Sequence, residues 1–74
     1  MSRVDLANTV ETLKRESKLL DDVTAHYVNE AYVLRGIRNN IVVIDLRKTH
    51  LKPATEAFRQ SYALCVSNGV VKAR

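Results

Sequence analysis

One apolar stretch near the middle of this 74-residue chain constrains its fold more than any other feature. Residues 41–46 read Ile-Val-Val-Ile-Asp-Leu, so five of the six are aliphatic and four are β-branched. β-Branched residues favour strands, and an apolar run without alternation is typical of a strand covered on both faces, as in parallel α/β sheets. The sequence therefore predicts a central, doubly buried strand at residues 41–46.

The segment before this strand predicts a hairpin. Residues 32–37 form a second, weaker strand-like run, and Arg38-Asn39-Asn40 separates the two runs. Asparagine tolerates positive φ better than most residues, which favours a tight antiparallel reversal at Asn39-Asn40.

The segment after the strand predicts a helix and then a further strand. Apolar residues recur at helical spacing up to Cys65, and the helix begins at Lys48 or at Pro53, since proline fits the first turn. The helix ends at Ser67, before an Asn-Gly cap. Val70-Val71 predicts the start of another strand, which would complete a right-handed parallel βαβ crossover.

The N-terminal part predicts an amphipathic helix within residues 1–22, covering residues 5–20. Its apolar face consists of Leu6, Val10, Leu13 and Leu20. A face this narrow must dock on another surface to be stable. Residues 23–30 predict only a helical turn or a connecting loop.

Together these elements predict a partial Rossmann-like (flavodoxin-like) α/β unit: an N-terminal helix, a short β-hairpin, a helix and the start of a further strand. We expect a single incomplete α/β domain over residues 1–74, with a ββαβ segment at 32–74. A strand buried on both faces needs more neighbours and cover than so short a chain supplies. The sequence therefore predicts that a partner chain completes the sheet.

Residues that catalysis, cofactor binding or metal ligation would need are scarce. Cys65 is the lone cysteine, which excludes a disulfide framework and a zinc cluster. His26 has no nucleophile or carboxylate at a useful spacing, and Asp45 fits a turn or capping role. No run approaches the roughly 18 apolar residues of a membrane span. We therefore expect no enzyme activity, cofactor, metal site, small-molecule substrate or membrane partner.

The net charge of +4 is unevenly distributed. Residues 1–37 carry five basic and six acidic side chains, whereas residues 38–74 carry seven basic and two acidic ones. Cations cluster around the hairpin turn and the helix start, where guanidinium forks and free N–H groups suit phosphate oxygens. The predicted RNA-contacting residues are Arg35, Arg38, Arg47, Lys48 and Lys52. Few aromatic residues are present for base stacking, so backbone and shape recognition is favoured; the alternative is a solvated basic rim.

Residues 38–49 also resemble a known segment. Arg-Asn-Asn-Ile-Val-Val-Ile-Asp-Leu-Arg-Lys-Thr is similar to Arg-Asn-Gly-Ile-x-Ile-Ile-Asp-Leu-x-Lys-Thr of the small-ribosomal-subunit protein number two family, bacterial or organellar type. In that family the segment lies between a short strand and a helix ending in Asn-Gly, and Asn68-Gly69 falls at the matching distance. The resemblance covers about residues 32–69. Asn40 and Pro53 depart from the family pattern, and its Trp-Asn-Pro-Lys-Met segment is absent.

The resemblance implies an N-terminal fragment of a split ribosomal protein, with the rest of the fold on a separate chain. It implies a structural constituent of the small ribosomal subunit in translation, with small-subunit rRNA and other small-subunit proteins as partners. Fragmentation is typical of organellar ribosomes, so we expect the mitochondrion, with a plastid or the bacterial cytoplasm as alternatives. Arg38 and Lys48 carry over as matched positions; the other three cations are added from charge and placement.

Two alternatives stand beside the ribosomal interpretation. One is a non-ribosomal adaptor subunit whose strand augments the β-sheet of a partner. The other is a free-standing nucleic-acid-binding regulator.

Overall fold

Two tight turns set the topology of the sheet in the computed structural model, which describes residues 3–73. Asn29-Glu30 joins β1 (Asp22–Val28) to β2 (Ala31–Arg38), and Asn39-Asn40 joins β2 to β3 (Ile41–Lys48). All four turn residues have positive φ, from 51° to 64°, as two-residue hairpin turns require. The strands therefore form an antiparallel meander in the order β1-β2-β3, and the predicted hairpin at Asn39-Asn40 is confirmed.

The sheet is flanked in sequence by two helices, α1 (Arg3–Glu16) and α2 (Leu51–Ser67). Leu13 of α1 and Phe58 of α2 belong to one buried cluster with residues of all three strands, so both helices pack on the same face of the sheet. The predicted small α/β domain is thereby confirmed as two helices on a three-stranded antiparallel sheet. The other sheet face carries no helix within the described chain.

The core is built from alternate residues of each strand. Val23 of β1 pairs with Gly36 of β2, which pairs in turn with Ile44 of β3, and all three are buried. Directly opposite residues leave the same face of an antiparallel sheet, so this row faces the helices. A β-bulge follows, because the next pairing joins Ile37 to Val42 and leaves Val43 without a partner on β2.

The prediction that residues 41–46 form a central strand buried on both faces is wrong. β2 is the central strand and β3 is an edge. In β3 only Ile44 is buried, while Ile41 and Val42 are 63% and 49% exposed. The reason is that most of the segment 23–30, predicted as a helical turn or loop, belongs to β1 on the far side of β2, while both helices cover a single face.

The predicted further strand after Gly69 is also wrong for the described residues, which extend to Ala73. The N–H groups of Val70 and Val71 both donate to the carbonyl of Cys65, at 2.9 and 3.2 Å, and turn the chain back on α2. Val71 is 1% exposed and closes that end of the core. The parallel crossover of the predicted ββαβ segment at residues 32–74 is therefore not formed within this part of the chain.

The helix boundaries differ from the sequence prediction by a few residues. α1 ends at Glu16 rather than near residue 20, because Leu20 turns towards the sheet and packs beside Gly36. α2 begins at Leu51, between the two predicted starts, with His50 as its N-cap residue. Pro53 falls in the first turn, where its missing N–H has no intrahelical partner to lose.

Arg59 connects the two helices at the surface. Its guanidinium donates to both carboxylate oxygens of Glu16, at 2.7 and 3.1 Å, and to Glu56 at 2.7 Å. The hydrogen bonds from Arg59 lower the pKa of Glu16 below its ordinary value, and those to Glu16 and Glu56 raise the pKa of Arg59. These side chains are largely solvated, so the network fixes orientation more than it adds stability.

Candidate nucleic-acid interface

The structure separates the five predicted RNA-contacting residues rather than gathering them at one site. Arg38 lies beside the β2–β3 turn, whereas Lys48 lies at the other end of the eight-residue strand β3. At about 3.3 Å per residue, these ends are roughly 20 Å apart. Arg35 lies between them, on the sheet face without helices.

Arg38 is engaged inside the domain. Its guanidinium donates to the carbonyl of Leu19, in the α1–β1 loop, and to the carbonyl of Lys72 at 2.8 Å. The side chain is partly buried and joins two segments that no backbone ladder connects. These bonds give Arg38 a structural role, so we leave it out of the candidate interface.

Replacing Arg38 with methionine should lower the free energy of unfolding by about 1–3 kcal/mol, because the partly buried carbonyl of Leu19 and the exposed carbonyl of Lys72 lose a charged donor. The measurement is urea unfolding followed by circular dichroism. Arg47→Met is the matched control, since Arg47 is exposed and makes a single bond, to the carbonyl of Asn29 at 3.1 Å. Equal stability of the two variants would contradict the structural role of Arg38.

Arg35 and Arg47 are both exposed on the helix-free face, but their surroundings differ. Arg35 pairs across strands with Asp45, at 3.4 Å between Nε and Oδ1, so a carboxylate offsets its charge. Arg47 reaches the β1–β2 turn through its bond to Asn29 and lies at the end of the sheet where α2 begins. Arg47 is therefore the better placed of the two for an external anion.

Lys48 and Lys52 are exposed, and their side chains make no hydrogen bond or ion pair with the described residues. Lys48 is the last residue of β3, and Lys52 is the second residue of α2. Between them, His50 caps α2 without a side-chain hydrogen bond, and the first turn contains no acidic residue. The positive end of the helix dipole is thus uncompensated. We call Arg47, Lys48, His50 and Lys52, with this helix start, the basic corner.

Two tyrosines lie at the same end of the sheet as the basic corner. Tyr27 of β1 is opposite Tyr32 of β2, which is opposite Lys48 of β3. This group could not be found from the sequence, because it depends on the register of β1, a strand that the sequence pattern did not predict. The available signal was the alternation of Val23, Ala25 and Tyr27 with polar residues, which is the period of a half-buried strand.

Other chemistry is sparse in the described chain. Residues 3–73 contain no group of three metal-ligating side chains. The Cys65 thiol is partly buried, 3.8 Å from the carbonyl of Val43, which the bulge leaves outside the β2–β3 pairing. A shallow groove of about 340 Å³ lies between α1 and β1, lined by Leu6, Ala7, Val10, Glu11 and Ala25. Neither helix of this part has the length and apolarity needed to cross a membrane.

The fold and this geometry define a small domain of order α-β-β-β-α with a basic corner at one end of its sheet. Comparisons with protein-family models, with curated proteins and with solved structures found no match to this chain.

Proposed function

We propose that this chain is a non-catalytic RNA-binding domain whose basic corner holds the phosphate backbone of structured RNA. The observation that supports it most is that the side chains of Lys48 and Lys52 have no partner among residues 3–73 and lie beside a helix start without a side-chain cap. Phosphate oxygens accept hydrogen bonds from ammonium groups and from free backbone N–H groups.

Rigid placement favours binding at the basic corner over a merely solvated rim. Lys48 and Lys52 are anchored on a strand end and a helix turn, so binding need not order a flexible loop. Ala54, one turn into α2, is completely buried, which holds this helix end against the sheet. The acidic residue of the nearby β1–β2 turn, Glu30, is exposed and weakens the positive field locally.

The biological setting we propose is the small ribosomal subunit, of mitochondrial type, with small-subunit rRNA and other small-subunit proteins as partners. The support is the resemblance of residues 38–49. A strand precedes this segment and a helix ending at Ser67 follows it, which is the element order that the resemblance implies. Sedimentation of the chain with salt-washed small-subunit particles tests this setting. Recovery of the chain only at the top of the gradient would contradict it.

A second candidate function is that of an adaptor that augments the sheet of a partner. The observation in its favour is that edge strand β3 exposes 63% of Ile41 and 49% of Val42. A strand added to β3 would satisfy its outer backbone groups and cover these side chains. We also propose that the domain is a partial Rossmann-like unit completed by a partner chain. The exposed edge of β3 is where that chain would pair. Ile41→Lys should abolish such pairing and leave RNA affinity unchanged.

The basic corner is tested by neutralising its two lysines. Lys48→Gln/Lys52→Gln should weaken binding to a stem-loop RNA about tenfold and make the plot of log affinity against log salt shallower by about 2, because two phosphate contacts are lost. Fluorescence anisotropy at several salt concentrations measures both quantities.

Lys18→Gln/Lys72→Gln is the matched control for this experiment. It removes the same charge from exposed lysines at the opposite end of the sheet, near the Arg38 bridge. We expect its affinity to stay within about twofold of the unmodified chain. Equal losses in the two double variants would mean that only net charge matters, and the proposed site would be wrong.

A further inference from the structure

An exposed aromatic ring is fixed beside the basic corner. Tyr27, Tyr32 and Lys48 are directly opposite one another on β1, β2 and β3, so their side chains leave the same face of the sheet. Tyr32 is buried, with 6% exposure, and its ring centroid lies 4.7 Å from that of Tyr27, at an interplanar angle of 55°. This tilted contact supports the ring of Tyr27 from one side.

Tyr27 itself is 55% exposed, although it continues the face on which Val23 is buried. The core therefore uses only part of this ring. Adjacent strands are about 4.8 Å apart, which places the Cα atoms of Tyr27 and Lys48 roughly 10 Å from each other. A flat apolar ring and an ammonium group that no other described residue pairs with are thus presented together at one end of the sheet.

We propose that Tyr27 is a stacking platform for an unpaired RNA base, next to the phosphates held by Lys48 and Lys52. This inference rests on the proposed function and names the kind of RNA: a loop, bulge or strand end rather than a continuous duplex. Bases inside a duplex are already stacked and cannot lie on a protein ring, whereas splayed bases stack readily on tyrosine.

The charges around the ring favour a nucleotide over a peptide as the occupant. Lys48, which shares a row of the sheet with Tyr27, and Lys52 have no carboxylate partner among the described residues. A base that stacks on Tyr27 brings its own phosphates to these cations. Since Tyr32 already restrains the ring, stacking costs little conformational freedom. Base–aromatic stacking typically changes affinity by about 5- to 100-fold per base.

The test compares two RNAs with the same stem, one closed by an unpaired six-nucleotide loop and one a blunt duplex. Tyr27→Ala should weaken binding to the loop RNA about tenfold and leave binding to the duplex within about twofold. Tyr27→Phe keeps the ring and should retain affinity for the loop RNA. Val28→Ala is the control, because Val28 is the next residue on the strand and is 47% exposed. It should change neither affinity.

Tyr27→Leu separates stacking from folding, because leucine maintains apolar contact with Tyr32 but has no flat ring. It should melt close to the unmodified chain and still lose affinity for the loop RNA. Unchanged loop affinity in both Tyr27→Ala and Tyr27→Leu would overturn the inference, as would an equal loss for loop and duplex. If the unmodified chain binds neither RNA, the proposed function fails as well. If it binds both RNAs and only the lysine double variant weakens them, the stacking inference alone fails.

Discussion

Phe58→Ala should lower the free energy of unfolding by about 3–5 kcal/mol. A domain of 74 residues has roughly 4–11 kcal/mol in total, so the loss is a large share of its stability. Phe58 is completely buried at the centre of the interface between α2 and the sheet. Its partner on β2 is Gly36, which has no side chain to fill the cavity that alanine would leave.

Urea unfolding followed by circular dichroism measures this effect, and Leu64→Ala on the same helix is its control. Leu64 is 61% exposed, so its truncation removes little buried surface and improves helix propensity slightly. We expect the stability of the control to stay within about 0.5 kcal/mol of the unmodified chain. Comparable losses at the two positions would mean that α2 does not pack on the sheet through Phe58.

The second hairpin and both helices could be predicted from the sequence because their signals are local. Asn39 and Asn40 tolerate the positive φ that a two-residue turn demands, and the structure has φ of 54° and 64° there. The stripe that contains Phe58 likewise indicates a helix whichever surface it meets. Such features depend on neighbouring residues, so one sequence suffices to detect them.

The edge position of β3 could not be predicted, because whether a strand is central depends on which other strands join the sheet. The apolar run at residues 41–46 would suit a central strand, but β1 occupies the other edge of β2 and leaves β3 at the rim. β1 was missed because its inward residues include the small Ala25 and the exposed Tyr27, so its alternation is weak. The exposed Ile41 and Val42 are the consequence of that arrangement.

The candidate site likewise has features that could be predicted from the sequence and features that could not. A surplus of cations near the start of α2 is visible in the sequence, and the structure places Lys48 and Lys52 there with no side-chain partner in the described part of the chain. The role of Arg38 could not be inferred, since its acceptors are 19 and 34 residues away along the chain. The row that joins Tyr27 to Lys48 needs the register of three strands, which composition and spacing do not contain.

Gly36→Val should lower the free energy of unfolding by about 3 kcal/mol, although valine has the higher strand propensity. The space above Gly36 is already filled. A Cβ atom there would lie 2.8 Å from Cδ1 of Leu20 and 3.2 Å from Cζ of Phe58. It would also lie 3.3 Å from Cβ of Ile44, which the sheet holds in place. Thermal and urea unfolding measure the loss.

Arg35→Val is the control for that substitution, one residue away on the helix-free face of the same strand. It removes only an exposed pair with Asp45 and should change stability by less than about 1 kcal/mol. Adding Leu20→Ala to Gly36→Val removes the nearest clashing atom, so the double variant should be more stable than the sum of the two single losses by about 1 kcal/mol or more. Strict additivity would contradict the contact between Leu20 and Gly36. It would also contradict our explanation of why α1 ends at Glu16, which is that Leu20 leaves the helix to cover Gly36, a strand position with no room for a side chain.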